Sequence, residues 1–163
     1  MNTVNNLYQQ TALAIQLIIE TGLRTSELPK VTVESVRRGY VESTYIRNTR
    51  QVELPANICE RLQRFAKECG ITSGPIFLTA RGLPCGRNAM FHAFGKLAAA
   101  VGIDPKRLTS EALRKYYNDK QMVENNVSAV QASLGYRTVN YYVEYERHND
   151  ETLTKNLDDM LDF

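Results

Sequence analysis

Apolar residues recur at helical spacing along most of the chain. Near the start, Leu13, Leu17 and Ile18 form such a series before Gly22, which predicts an amphipathic helix with a glycine at its end. Comparable patterns predict further helices at about 25–30, 56–69, 88–101, 110–124, 127–134 and 139–148. The pattern therefore predicts a mainly α-helical protein.

The pattern changes between Gly39 and Pro55, where Tyr40, Val41, Tyr45, Ile46, Val52 and Leu54 lie on two β-like runs. Two such runs about Asn48-Thr49 predict a small antiparallel β-hairpin. The segment 75–78 resembles a short strand, and 81–84 has the glycine and proline of a turn.

Composition favours one soluble globular domain over residues 1–163. Hydrophobic residues make up 43% and charged residues 23%, and no apolar run approaches the roughly 20 residues that span a bilayer. The first residues do not resemble a secretory signal, so we expect a cytoplasmic protein. Three cysteines without paired spacing suggest neither a disulfide framework nor a zinc site.

Charge is unevenly distributed along the chain. Residues 1–143 carry 18 basic and 11 acidic residues, whereas the last 20 carry two basic and seven acidic ones. A basic body is expected of a nucleic-acid binder, because it neutralises phosphates and releases their counterions. Many soluble domains have such a surplus of basic residues, so the charge alone does not indicate nucleic-acid binding and the sequence motifs are needed.

Two arginines and a tyrosine, far apart in sequence, suggest phosphoryl transfer. The guanidinium forks of Arg24 and Arg114 match the geometry of phosphate oxygens, and the phenol of Tyr145 could act as a nucleophile. Each arginine alone could equally be an ordinary surface residue. Tyr145 and its tyrosine neighbours at 141 and 142 could also form a packing face.

Several motifs in order carry a family resemblance. Thr-Gly-Leu-Arg-Thr-Ser-Glu-Leu at 21–28 precedes a hairpin ending in Leu-Pro, then Leu-Arg at 113–114, Leu-Gly at 134–135, and a tyrosine nine residues after Tyr136. From about Ala12 to Arg147 the chain resembles the catalytic domain of tyrosine recombinases, or phage integrases. The resemblance implies their DNA breaking-rejoining fold and double-stranded DNA as a partner.

The resemblance also implies a mechanism. Arg24 and Arg114 would clamp the scissile phosphate, Glu27 would hold Arg24, and Tyr145 would attack. A 3′-phosphotyrosine intermediate would conserve the bond energy, so neither a metal ion nor a cofactor would be needed. The implied function is site-specific recombination or integration, in a homo-oligomer on DNA and for a mobile element.

The chain departs from the family at the positions that transfer protons. Glu111 stands where the family usually has histidine, and Tyr136 stands where it usually has histidine or tryptophan. The hairpin has no lysine and offers Arg47 and Arg50, which bind phosphate but are poor acids. A DNA-binding or assembly module of the same fold that no longer cuts is therefore the main alternative. Glu111 could instead simply favour the positive end of a helix.

An all-helical transcription regulator is the alternative from another class, and the hairpin argues against it. The tail at 149–163 has an apolar stripe and acidic residues, and we expect it to dock either on a neighbouring protomer or on its own domain. The family's N-terminal DNA-clamp domain has no counterpart in this sequence, so a fragment or a stand-alone degenerate relative is expected.

Overall fold

Five α-helices and one β-hairpin make up the described fold. The computed structural model describes residues 3–45 and 47–124 of the chain. The helices are α1 (Thr3–Thr21), α2 (Val33–Arg38), α3 (Ala56–Glu68), α4 (Arg87–Val101) and α5 (Ser110–Glu124), the strands are β1 (Tyr40–Tyr45) and β2 (Asn48–Glu53), and Thr25–Lys30 and Pro105–Arg107 are short 3-10 helices. The mainly helical prediction with a small antiparallel sheet is thus confirmed. The helices predicted after residue 124, and the tail, lie outside the described residues.

Helix α1 is the centre of the packing. Ile15, Leu17 and Ile18 are fully buried because α1 contacts α3, α4 and α5 on different sides. Burying a side chain of this size contributes roughly 1.5–3 kcal/mol. The ends of the surrounding helices are thereby held at fixed positions around α1.

Helix α2 was not predicted from the sequence. Its N-cap is Thr32, whose hydroxyl accepts a hydrogen bond from the Ser35 amide while the Ser35 hydroxyl accepts from the Thr32 amide. Gly39 ends it in the left-handed conformation at φ +87°. At six residues the helix is too short to show a helical period.

The hairpin is shifted by two residues from its predicted turn. Asn48 pairs with Tyr45 and Thr49 pairs with Thr44, so both predicted turn residues belong to β2. Ser43 lies opposite Arg50 in this register. Since side chains alternate between faces, Arg50 shares the inward face with the buried Val52.

The predicted strand at 75–78 forms only isolated bridges. Pro75 pairs with Thr32, and Leu78 pairs with Pro84. In place of a neighbouring strand, the side chain of Gln10 on α1 hydrogen-bonds both backbone polar groups of Leu78. Its Nε2 donates to the Leu78 carbonyl at 2.9 Å, and its Oε1 accepts from the Leu78 backbone amide at 3.0 Å. A side chain thus replaces a β-ladder at this point.

Glu34 fastens the loop that precedes Pro75. Its two carboxylate oxygens accept from the Gly74 amide at 3.2 and 3.1 Å. Hydrogen bonds from its own amide and from that of Gly74 lower the pKa of Glu34 below its ordinary 4.5.

Within residues 3–45 and 47–124, no helix is long and apolar enough to cross a membrane. The same residues contain no cluster of histidine, cysteine and acidic side chains suited to a metal ion.

Candidate active site

Arg24 is positioned by the sharp exit from α1. Gly22 adopts φ +70°, a conformation that side chains disfavour, and turns the chain so that Leu23 is buried and Arg24 precedes the first 3-10 helix. The backbone amide of Arg24 donates to Oε2 of Glu27 at 2.7 Å. Its guanidinium Nη1 lies 3.6 Å from Oε1 of the same carboxylate. Glu27 therefore holds both the backbone and the side chain of Arg24.

Glu27 is the shared partner of several groups. Only 4% of the residue is exposed. Oε1 also accepts a hydrogen bond from the Ser43 hydroxyl on β1, and Oε2 lies 3.5 Å from Nη2 of Arg50 on β2. A buried carboxylate is stable only when it is paired and hydrogen-bonded, and these contacts meet that need.

Arg114 reaches the same region from α5. It is 8% exposed, and its Nε donates to the Gly22 carbonyl at 3.2 Å. One residue, Leu23, separates Gly22 from Arg24 along the chain. The turn after α1 thus orients both arginines.

Three guanidiniums lie within electrostatic reach of one another. Burial lowers the pKa of Arg50, the Glu27 carboxylate opposes this, and the positive charges of Arg24 and Arg114 lower the pKa further. We call Arg24, Arg50, Arg114 and Glu27 the arginine cluster. With three positive charges and one negative, the arrangement suits a dianionic or developing phosphoryl charge.

A cavity of about 240 Å³ lies beside Arg50. Its wall includes the buried Tyr117, one turn after Arg114 on α5, and residues 51–53 of β2. Asn118, the next residue, is 1% exposed, and neither its Nδ2 nor its Oδ1 has a hydrogen-bond partner in the described part of the chain.

Four predicted site residues remain, of which two are exposed and two lie outside the described residues. Glu111 is exposed in the first turn of α5, where an acidic residue favours the helix N-terminus. Arg47 is exposed between the two strands, so the hairpin brings Arg50 and not Arg47 to the cluster. Tyr136 and Tyr145 lie outside the described residues.

Sequence reasoning missed two groups of the cluster. The Ser43 hydroxyl could have been found from the alternation with Val41, had the hairpin register been known. The Gly22 carbonyl that receives Arg114 has no signal in the sequence, because it depends on how α5 packs against α1.

Comparison with known families identifies the group to which the protein belongs. The sequence model of the phage integrase family matches residues 1–152. The chain belongs to this family. The resemblance seen in the Thr21–Leu28 motif and the later motifs is thereby confirmed.

Solved structures support the fold of this phage integrase family member. XerA recombinase has a TM-score of 0.67 and 14% identity, with 100% of this chain and 63% of that chain covered. The Tn1549 transposon integrase with transposon right end DNA has a TM-score of 0.67 and 19% identity, covering 88% of this chain and 56% of that one. The same integrase with circular intermediate DNA has a TM-score of 0.67 and 19% identity, covering 91% and 59%.

The chain therefore spans 56–63% of the length of these structures. Among curated proteins, none matches it in sequence. At these identities the likeness establishes the fold, which agrees with the helices and hairpin described above.

Proposed function

We propose that this chain is the catalytic domain of a site-specific DNA recombinase or integrase that cleaves and rejoins strands through Tyr145. The observation that carries the proposal is the arginine cluster, in which Arg24 and Arg50 pair with the buried Glu27 and Arg114 reaches the same turn through the Gly22 carbonyl. Membership of the phage integrase family and the likeness to integrases solved with DNA support double-stranded DNA as the substrate.

In this proposal, Arg24 and Arg114 bind the non-bridging oxygens of the scissile phosphate. Glu27 and the Gly22 carbonyl fix the two guanidiniums before DNA arrives, which lowers the cost of ordering them. Attack by the Tyr145 oxygen on phosphorus forms a 3′-phosphotyrosine and breaks the bond to the 5′ oxygen; the phenol gives up its proton to water and the 5′ oxygen takes one from water, so it leaves as a hydroxyl. Attack by a 5′ hydroxyl on that phosphotyrosine rejoins a strand and frees the phenol.

Arg50 takes the place on the hairpin where related enzymes carry a lysine. A guanidinium is effectively never deprotonated in proteins, so Arg50 stabilises charge and does not supply the proton. Tyr136 can donate a hydrogen bond to a phosphate oxygen.

Joining strands from two sites requires more than one nucleophile. We therefore include a homo-oligomer on DNA in the proposal.

The test is covalent capture of DNA by the full-length protein. Nicked duplexes from the flanks of its own gene should yield an SDS-resistant adduct that Tyr145→Phe abolishes and Tyr142→Phe retains. An adduct that survives in Tyr145→Phe contradicts the assigned nucleophile. DNA binding without any adduct favours a module of the same fold that no longer cuts.

The hairpin offers a matched pair of variants for the same assay. Arg50→Ala should lower the rate of adduct formation about 100-fold, the usual cost of removing one transition-state donor. Arg47→Ala, on the same hairpin but exposed, should stay within about threefold of the parent, since its side chain lies outside the cluster. Equal losses in the two variants would contradict the role assigned to Arg50.

A further inference from the structure

The proposed cleavage needs a proton donor for the 5′ oxygen. An alkoxide is a poor leaving group, and a donor held beside the departing oxygen speeds such a step roughly 100- to 10,000-fold. The hairpin has no lysine, and a guanidinium such as that of Arg50 holds its proton too firmly to give it up. A protonated group of moderate acidity close to Arg50 would meet the need.

The cavity beside Arg50 has such a group in its wall. Tyr117 borders this cavity of about 240 Å³ together with Arg50, and the residue is 5% exposed. An ionised Tyr117 phenol would raise the pKa of Arg50, so the phenolic oxygen and the guanidinium lie within electrostatic reach of each other. Tyr117 also follows Arg114 by three residues on α5, which places both side chains on one side of the helix. Two members of the arginine cluster therefore neighbour one phenol.

The other polar groups near this phenol are less suited to giving up a proton. The Thr21 hydroxyl, also in the cavity wall, already donates to the Leu17 carbonyl at 2.6 Å. Lys115, the residue after Arg114, is paired with Asp119 at 2.6 Å and does not border the cavity. Carboxylic acids are ordinarily ionised at neutral pH, whereas a phenol, with a pKa of about 10, keeps its proton and is about as acidic as a lysine ammonium.

We propose that Tyr117 is a catalytic residue that donates the proton to the leaving 5′ oxygen. The inference rests on the proposed function and adds the group that protonates the leaving oxygen. The phenolic O–H bond breaks as the 5′ oxygen leaves phosphorus, which yields a 5′ hydroxyl and a phenolate beside the positive charge of Arg50. A water molecule then returns a proton to the phenolate, so water is still the net source. Rejoining runs the same two transfers in reverse.

A substrate with sulfur in place of the 5′ oxygen separates proton donation from every other role. A thiol has a pKa of about 8.5, far below that of an alcohol, so a thiolate leaves without being protonated. The adduct formed by the full-length parent first locates the scissile phosphate, and a second nicked duplex then carries the 5′ sulfur there.

Tyr117→Phe should form the adduct about 100-fold more slowly than the parent on the ordinary duplex. On the sulfur duplex the two proteins should differ by less than about threefold, because no proton is needed. Recovery on sulfur also shows that the variant is folded and binds DNA.

Tyr116→Phe is the matched control, since it removes the same hydroxyl from the adjacent residue, which does not border the cavity. It should stay within about threefold of the parent on both duplexes. Arg50→Ala should remain slow on both, because a guanidinium stabilises charge on the phosphoryl oxygens whichever atom leaves.

Equal losses for Tyr117→Phe on the oxygen and sulfur duplexes would give the phenol a structural role and overturn the proposal. An unchanged rate on the oxygen duplex, or a loss in Tyr116→Phe that sulfur restores, would overturn it too. In these cases the parent still forms its adduct, and the proposed function stands. No adduct from the parent on either duplex would overturn the proposed function as well.

Discussion

Glu27 holds three elements together with one carboxylate. It contacts Arg24 before its own helix, Ser43 on β1 and Arg50 on β2. A single buried acid therefore sets the distance between the chain after α1 and the hairpin.

Replacing Glu27 with glutamine should destabilise the fold. The change leaves two mostly buried guanidiniums, 13% and 14% exposed, without their countercharge, and we expect the free energy of unfolding to fall by about 3 kcal/mol. Urea denaturation measures the loss. Glu60→Gln, exposed on α3, should change it by less than about 0.5 kcal/mol, and equal effects would contradict the pairing.

Replacing Asn118 with alanine should stabilise the fold. Its amide is buried without a hydrogen-bond partner in the described part of the chain, so Asn118→Ala should raise the free energy of unfolding by about 1 kcal/mol. Part of this gain in stability comes from the higher helix propensity of alanine. Asn88→Ala, at an exposed position of α4, measures that part alone. Thermal denaturation of both variants separates the terms, and a loss in Asn118→Ala would mean that the amide is satisfied in solution.

At this scale, the sequence predicted the residue types of the cluster and the pairing of Glu27 with Arg24, but not the other partners. Arg24, Arg114 and Glu27 belong to motifs, and the structure brings them together. The choice between Arg47 and Arg50 depended on the hairpin register, which the predicted turn at Asn48-Thr49 placed two residues too late.

Among the elements, the long helices were predictable and the short ones were not. Helices α1, α3, α4 and α5 each span several turns, so their apolar period is visible in the sequence. Helix α2 and the bridges at 75–84 rely on local hydrogen bonds, such as the Gln10 amide on Leu78, that no period reveals.

The contact between α2 and the loop at Gly74 should depend on pH. The pKa of Glu34 is lowered in the folded state, so its contribution is fully present above about pH 4.5 and is lost as pH falls through the lower folded value. The protection of the Gly74 amide from hydrogen exchange, measured by NMR relative to the intrinsic rate at each pH, should fall on acidification in step with protonation of Glu34.

In Glu34→Gln that change in protection should disappear. Glu42→Gln, exposed on β1, should preserve it. An unchanged protection factor at Gly74 between pH 6 and the acid limit of the fold would contradict the contact.

Over the whole molecule, the acidic tail opposes the basic body. Deleting residues 149–163 removes five acidic residues and one basic one, and should raise affinity for non-specific DNA about threefold near 50 mM salt. Fluorescence anisotropy with random duplexes measures the change, which should vanish at high salt.

A charge-neutral tail separates charge from the loss of the segment itself. Converting Asp158, Asp159 and Asp162 to asparagine should reproduce part of the gain with all 163 residues present. A gain on deletion that persists at high salt would show that the effect is not electrostatic.

The bond between Gln10 and Leu78 has a consequence for exchanging the exposed turn before α4 between relatives. One end of this turn is held to α1 by the Gln10 amide on Leu78, and the other end is held by the buried Cys85, whose amide donates to the Phe77 carbonyl. Residues 79–84 are thus a loop with two fixed ends. Transplanting that loop should preserve its shape, provided that the recipient keeps a glutamine at the corresponding place on its first helix.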